Sequence, residues 1–163
     1  MCIRDSPGSI RNVVGAEPPH PLSVAAGAVL LTLCDTDTPV YLAGELDCET
    51  VRAWLAFHTG APLCGPSRAM FAVGAWDALQ PLQPYPIGTS EYPDRSTTLI
   101  VECADLAPVG ATLTGPGIKE TASLSVPEVE AFQLNRALFP LGLDFIFTSG
   151  NRLAALPRTT KVS

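Results

Sequence analysis

Two short stretches of the 163-residue chain gather arginine among hydroxyl and carboxyl groups. The first, Gly88-Thr89-Ser90-Glu91-Tyr92-Pro93-Asp94-Arg95-Ser96, packs two carboxylates, one guanidinium and three aliphatic hydroxyls into a single segment. The second is Pro157-Arg158-Thr159-Thr160, close to the C-terminus. A guanidinium presents a planar fork of donors that fits phosphate or carboxylate oxygens in pairs. If the two segments meet, Arg95, Arg158, Thr159 and Glu91 would line an anion site. Equally, they could be interface or turn residues.

Other candidates are weaker. Asp35 and Asp37 could offer paired carboxylates to a metal, but Asp and Thr before Pro39 are turn formers first. His58 falls at helical spacing from Val51, Trp54 and Leu55, so it is expected as a hydrogen-bonded core histidine rather than a catalytic base. Gly115-Pro116-Gly117-Ile118-Lys119-Glu120-Thr121 invites a phosphate-loop reading and fails it. Pro116 removes a backbone donor, and Glu120 stands where Ser or Thr should open a helix. A strand-ending turn is expected there. The cysteines, Cys2, Cys34, Cys48, Cys64 and Cys103, form no C-x-x-C pair and no zinc spacing. Cys34 and Cys103 are expected as small core residues. No metal is implied, and no serine or cysteine carries the local signature of a nucleophile.

These residues must be positioned by alternating strands and helices. Ile10 to Val14 reads as a weak edge strand. Ser23 is placed to cap a helix from Val24 to about Cys34. Val40 to Ala43 then reads as a buried strand, and Asp47 as the cap of a helix through His58. Gly60 sits where a left-handed residue should end that helix, with Pro62 beyond it. Ala69 to Val73 and Thr97 to Cys103 are strands, separated by a possible helical turn and a proline-rich loop from Gln80 to Arg95. A loop of that length in a small domain usually has a task. Further strands are expected at Ala111 to Thr114 and Thr121 to Val126, then a helix from Pro127 to about Leu138. Leu143 to Thr148 and Arg152 to Leu156 should form a hairpin around Ser149-Gly150-Asn151. The alternation implies an α/β fold of three layers, αβα, with a mixed central sheet.

Composition narrows the function classes. Net charge is −6, with no basic stripe, which speaks against nucleic acid as a partner. The apolar run around Val24 to Leu33 is far short of the roughly 20 residues a bilayer requires. No basic n-region precedes it, so no membrane partner is expected and the location is expected to be cytoplasmic. Mean hydropathy is +0.25 with only 16% charged residues. Either some apolar surface is covered by a partner, or the sheet is covered on both faces.

A set of short segments resembles one family, in order and spacing. They are Leu31-Thr32-Leu33 with Asp35, Asp37-Thr38-Pro39-Val40, Phe57-His58-Thr59-Gly60-Ala61-Pro62, and Thr98-Leu99-Ile100-Val101. Leu113-Thr114-Gly115-Pro116-Gly117-Ile118, Phe139-Pro140-Leu141-Gly142-Leu143-Asp144 and Pro157-Arg158-Thr159-Thr160 complete the series. Together they resemble the PhnH subunit of the bacterial carbon–phosphorus lyase system, used in phosphonate catabolism. The resemblance implies a fold similar to the major domain of pyridoxal-phosphate transferases, without that cofactor. Only Lys119 and Lys161 could form a Schiff base, and neither matches a catalytic position of the family. It implies a subunit that supports, with the G, I and L proteins, formation of ribose 1-phosphonate 5-triphosphate from ATP and a phosphonate, with no independent activity. Expected partners are the G, I, J and K subunits and a second copy of the chain as a homodimer. In the family a helical segment precedes the equivalent of Pro7-Gly8. Residues 1–6, MCIRDS, are therefore expected to be a foreign leader on a truncated start, and residues 7–163 a single domain.

Overall fold

A computed structural model describes residues 10–13, 15–19, 22–80, 82, 84–92, 96–103, 106–107, 110–115, 118, 121–126, 129–139, 141–158 and 160–162. Its centre is a six-stranded sheet in the order β1-β8-β7-β4-β3-β2. Here β1 is Arg11–Asn12, β2 Val40–Leu42, β3 Phe71–Ala75 and β4 Thr98–Glu102. The hairpin expected around Gly150 supplies β7, Asp144–Ser149, and β8, Arg152–Leu156. Strands β2, β3, β4 and β7 run parallel, while β8 is antiparallel to both β7 and β1. The fold is a mixed α/β one.

Side chains that alternate along these strands feed two separate cores. Val73, Ile100, Ile146 and Leu153 point to one face, where they meet α1 (Val24–Leu33) and α2 (Glu49–His58) through Ala26, Leu30, Val51 and Leu55. Leu99, Val101, Phe145 and Phe147 point to the other face, towards Phe132, Leu113 and Leu124. Phe132 belongs to α4, Val129–Ala137, and a four-residue helix, α3 (Trp76–Leu79), precedes the long loop. The rings of Phe132 and Phe145 meet edge to face at 4.7 Å, a geometry the ring quadrupoles favour.

The second face carries a helix, as expected, and an element that was not. It is covered by α4 together with a small antiparallel sheet in the order β6-β5-β9. Strand β5 is Ala111–Thr114, β6 Ala122–Leu124 and β9 Lys161–Val162. Strand β9 was not expected; it is a two-residue strand recruited by pairing Leu113 with Val162.

Two local expectations are corrected. Cys48, not Asp47, occupies the N-cap of α2. Asp47 instead closes a 3-10 turn and accepts a bond from Arg52 Nε at 2.6 Å. His58 is exposed rather than in the core, because the apolar stripe of α2 stops at Leu55, one turn before the helix ends. Its ring instead meets that of Trp54 at a tilt and that of Phe57, which is 85% exposed, edge to face. Gly60 does adopt the left-handed conformation that ends α2, with φ of 68°.

Candidate functional site

The two arginine-bearing segments meet at one end of the central sheet. The proline-rich loop after α3 is held down at several points. Tyr85 donates its buried phenol to the Leu79 carbonyl at 2.9 Å, and the Thr97 N–H donates to the Pro86 carbonyl at 2.9 Å. An isolated antiparallel bridge joins Ile87 to Ser96. This brings Ser96 to the amino end of β4, where Arg158 Nη2 donates to its hydroxyl.

Arg158 itself is gripped by Asp144, the first residue of β7. Its Nε and Nη2 donate to Asp144 Oδ1 and Oδ2 at 3.2 and 2.8 Å, and its backbone N–H donates to Oδ1 at 2.8 Å. Asp144 thus caps the turn at Pro157–Thr160, where the Thr160 N–H donates to the Pro157 carbonyl, while pairing with the guanidinium inside it. Only 11% of the Arg158 side chain and 15% of the Asp144 side chain are exposed. Asn135 of α4 steadies the approach to β7, donating to the Leu143 carbonyl at 2.8 Å and accepting from its N–H at 2.7 Å.

Of the four residues expected to line an anion site, Arg158 stands in this cluster. Glu91 is exposed in the Ile87–Ser96 loop, where Thr89 and Tyr92 bond to each other. Arg95 and Thr159 lie outside the described residues, each adjacent in sequence to a member of the cluster. In this arrangement Asp144 supplies the anionic group that pairs with Arg158. Sequence reasoning missed Asp144, although the hairpin contained the signal. With Phe145 opposite Leu156, Asp144 must fall beside Pro157 and within reach of Arg158.

A second cluster occupies the opposite end of β4. The Glu102 carboxylate accepts from the hydroxyls of Ser23 and Thr148, both at 2.6 Å. Ser23 simultaneously caps α1, accepting from the Ala26 N–H at 3.1 Å. Burial pushes the Glu102 carboxyl above its ordinary range, and the hydroxyl donors only partly offset this. Beside it, Cys103 is pushed up to about 11 by burial and by Glu102. Cys34, buried at the end of α1, is pushed up to about 12 by burial and by Asp35. Both thiols are held protonated; Cys34 is a core residue as expected, whereas Cys103 is half-buried at the edge of its core.

The remaining candidates have structural roles. Asp35 Oδ1 accepts from the Asp37 N–H and the Thr38 hydroxyl, both at 2.9 Å. Those bonds hold its carboxyl below the usual range and form the turn expected before Pro39. The Ile118 N–H donates to the Gly115 carbonyl at 3.1 Å, a turn directly after β5. Among the described residues, no group of three His, Cys, Asp or Glu is placed to hold a metal. No helix among them is long and apolar enough to cross a membrane.

Comparison with known proteins assigns this architecture. The family described as "Bacterial phosphonate metabolism protein (PhnH)" matches residues 4–163. The chain belongs to the PhnH family. The alpha-D-ribose 1-methylphosphonate 5-triphosphate synthase subunit PhnH of Rhizobium meliloti (strain 1021) is 45% identical over 168 aligned residues. That alignment covers 96% of this chain and 82% of the relative. A putative C-P lyase subunit protein HtxG of Stutzerimonas stutzeri is 32% identical over 83 residues, covering 47% of the chain and 43% of that relative. Two of the segments that carry the resemblance in the sequence meet in space. The Gly142-Leu143-Asp144 and Pro157-Arg158 pieces are the two halves of the buried ion pair.

Proposed function

We propose that this chain is a non-catalytic subunit of a carbon–phosphorus lyase assembly. In this reading it supports, with G, I and L proteins, the formation of ribose 1-phosphonate 5-triphosphate from ATP and a phosphonate. The observation that carries the proposal is 45% identity, across 96% of the chain, to a subunit named for that synthase. The geometry supports it. Asp35 is spent on a turn and Arg158 on a buried pair, so the side chains most able to do chemistry are already engaged in holding the fold. The same reading takes G, I, J and K subunits as partners in the cytoplasm, a homodimer as the form that joins them, and layers similar to the pyridoxal-phosphate transferase major domain without its cofactor.

Co-expression with the G, I and J subunits, followed by affinity capture and native mass analysis, tests this. Stoichiometric incorporation is expected. A soluble, folded chain that never co-purifies with any of them would overturn the assignment.

One observation favours a second reading, an anion-binding subunit lined by Arg95, Arg158, Thr159 and Glu91. The loops bearing these residues do meet, at Ser96 and Arg158. In that case an anion competes with Asp144 for the guanidinium, and Arg95→Ala should weaken phosphonate or nucleotide binding by about tenfold or more. Wild-type protein that binds neither ligand removes this reading.

A further inference from the structure

We propose that the corner between α4 and β9 is an oxyanion-binding site, separate from the Arg158 cluster, that takes a phosphate or phosphonate group. A cavity of 470 Å³ lies there, lined by Gln133, Arg136 and Ala137 of α4 and by Lys161 and Val162 of β9. The three helical residues are spaced i, i+3 and i+4 and so share one face. The Gln133 amide donates to the Val162 carbonyl at 3.2 Å, tying the strand to the helix and fixing the walls of the cavity.

Three independent features point to an anion. First, both cations of the cavity lack an acidic mate. Among the described residues, ion pairs join Arg52 to Asp47 and Arg158 to Asp144, and neither Arg136 nor Lys161 takes part in one. In a chain of net charge −6, two uncompensated cations on one cavity are an unexpected concentration of positive charge. Second, two buried side-chain polar atoms among the described residues have no hydrogen-bond partner, Arg136 Nε and Thr160 Oγ1. Arg136 lines the cavity, and Thr160, 2% exposed, immediately precedes Lys161. An orphaned buried donor is costly, so Arg136 Nε on a residue of the cavity wall calls for a partner. Third, Arg136 lies over the Phe139 ring, its guanidinium carbon 4.8 Å from the centroid. A guanidinium held by its face keeps its edge donors free for a tetrahedral oxyanion.

The last turn of α4 opposes this, since a helix C-terminus carries about half an elementary negative charge. Two full positive charges outweigh it. The inference stands apart from the assembly role, because a subunit without catalysis can still hold an anion.

The test is calorimetric titration of the full chain at low salt with tripolyphosphate and, separately, methylphosphonate. The two arms distinguish a phosphate from a phosphonate ligand. Saturable binding of at least one is expected. It should weaken about tenfold in Lys161→Gln and in Arg136→Gln, with a smaller loss in Arg136→Lys, which keeps the charge but not the planar fork. Arg52→Gln, which alters an exposed cation paired elsewhere, should bind as wild type. Lys161 is exposed, so its variant does not threaten the fold and keeps the test decisive if Arg136→Gln is unstable. Absence of saturable binding by wild type, or equal binding by Lys161→Gln, overturns the proposal.

Discussion

Strands β4 and β7 run side by side in parallel and carry a carboxylate at each end of their shared ladder. At the amino end Asp144 lies opposite Thr98, and at the carboxyl end Glu102 lies opposite Thr148. Both carboxylates are largely covered, yet the protein treats them in opposite ways. Asp144 receives a guanidinium in two-point contact, a backbone N–H and, through the same arginine, the Ser96 hydroxyl. Glu102 receives two hydroxyls. Hydroxyl donors satisfy oxygen lone pairs but leave the charge uncompensated in a medium of low polarity. One end of the sheet is therefore electrically closed, while the other responds to protons.

The sharpest way to break this contrast is Arg158→Ala. It leaves the Asp144 charge without its partner inside a site that is 15% exposed, so a loss of about 3 kcal/mol is expected. Urea unfolding followed by circular dichroism measures it. Adding Asp144→Asn to Arg158→Gln should recover part of the loss, because no unmatched charge then remains. A cost below about 1 kcal/mol would place the pair among weak surface bridges. Arg158 would then be available to a ligand, as the anion-binding reading requires.

Two smaller changes test what supports each end. Asn135→Ala removes both bonds to Leu143 at the entrance to β7 and strands a buried N–H and carbonyl. About 2 kcal/mol should be lost in the same unfolding measurement. Ser23→Ala acts at the other end, where it uncaps α1 and takes one donor from Glu102. A loss of about 1 kcal/mol is expected. Equal costs for the two variants would mean that the amino end is no more firmly built than the carboxyl end.

How far these ends could be read from the sequence follows from the range of the forces involved. The Ser23 cap, the Gly60 terminus and the hairpin about Gly150 were legible because capping and turn chemistry are local. The runs Thr98–Glu102 and Arg152–Leu156 were legible because β-branched and apolar residues cluster there. Strands β5 and β6 were legible as runs, but their joining with β9 into one sheet was not, since a two-residue strand such as Lys161–Val162 exists only through its partner Leu113. His58 was misplaced for a related reason. Helical spacing marks a face but cannot say where the sheet beneath it ends. Arg158 stood out as a residue type, while its mate Asp144 needed the hairpin register to be followed across the turn. Glu102 was not singled out within the strand Thr97 to Cys103. Nothing local shows that α1, 79 residues earlier at Ser23, folds back over it.

The carboxyl end yields the subtlest prediction, Glu102→Gln. The Glu102 carboxyl titrates above its ordinary value of 4.5 in the folded chain, chiefly through burial. An acid whose folded value is raised binds its proton more tightly when folded. Its favourable contribution is therefore complete below about 4.5 and is lost as pH rises through the folded value. The amide of Gln can accept the same hydroxyls without charge, so the variant should be more stable than wild type at neutral pH. That advantage should shrink as pH falls through the folded value and be gone by about 4.5, where wild type is already protonated. Denaturation midpoints measured across that range decide the matter. Parallel curves, or a variant less stable at neutral pH, would mean that a cation compensates Glu102 after all. The two ends of the β4–β7 ladder would then be built alike.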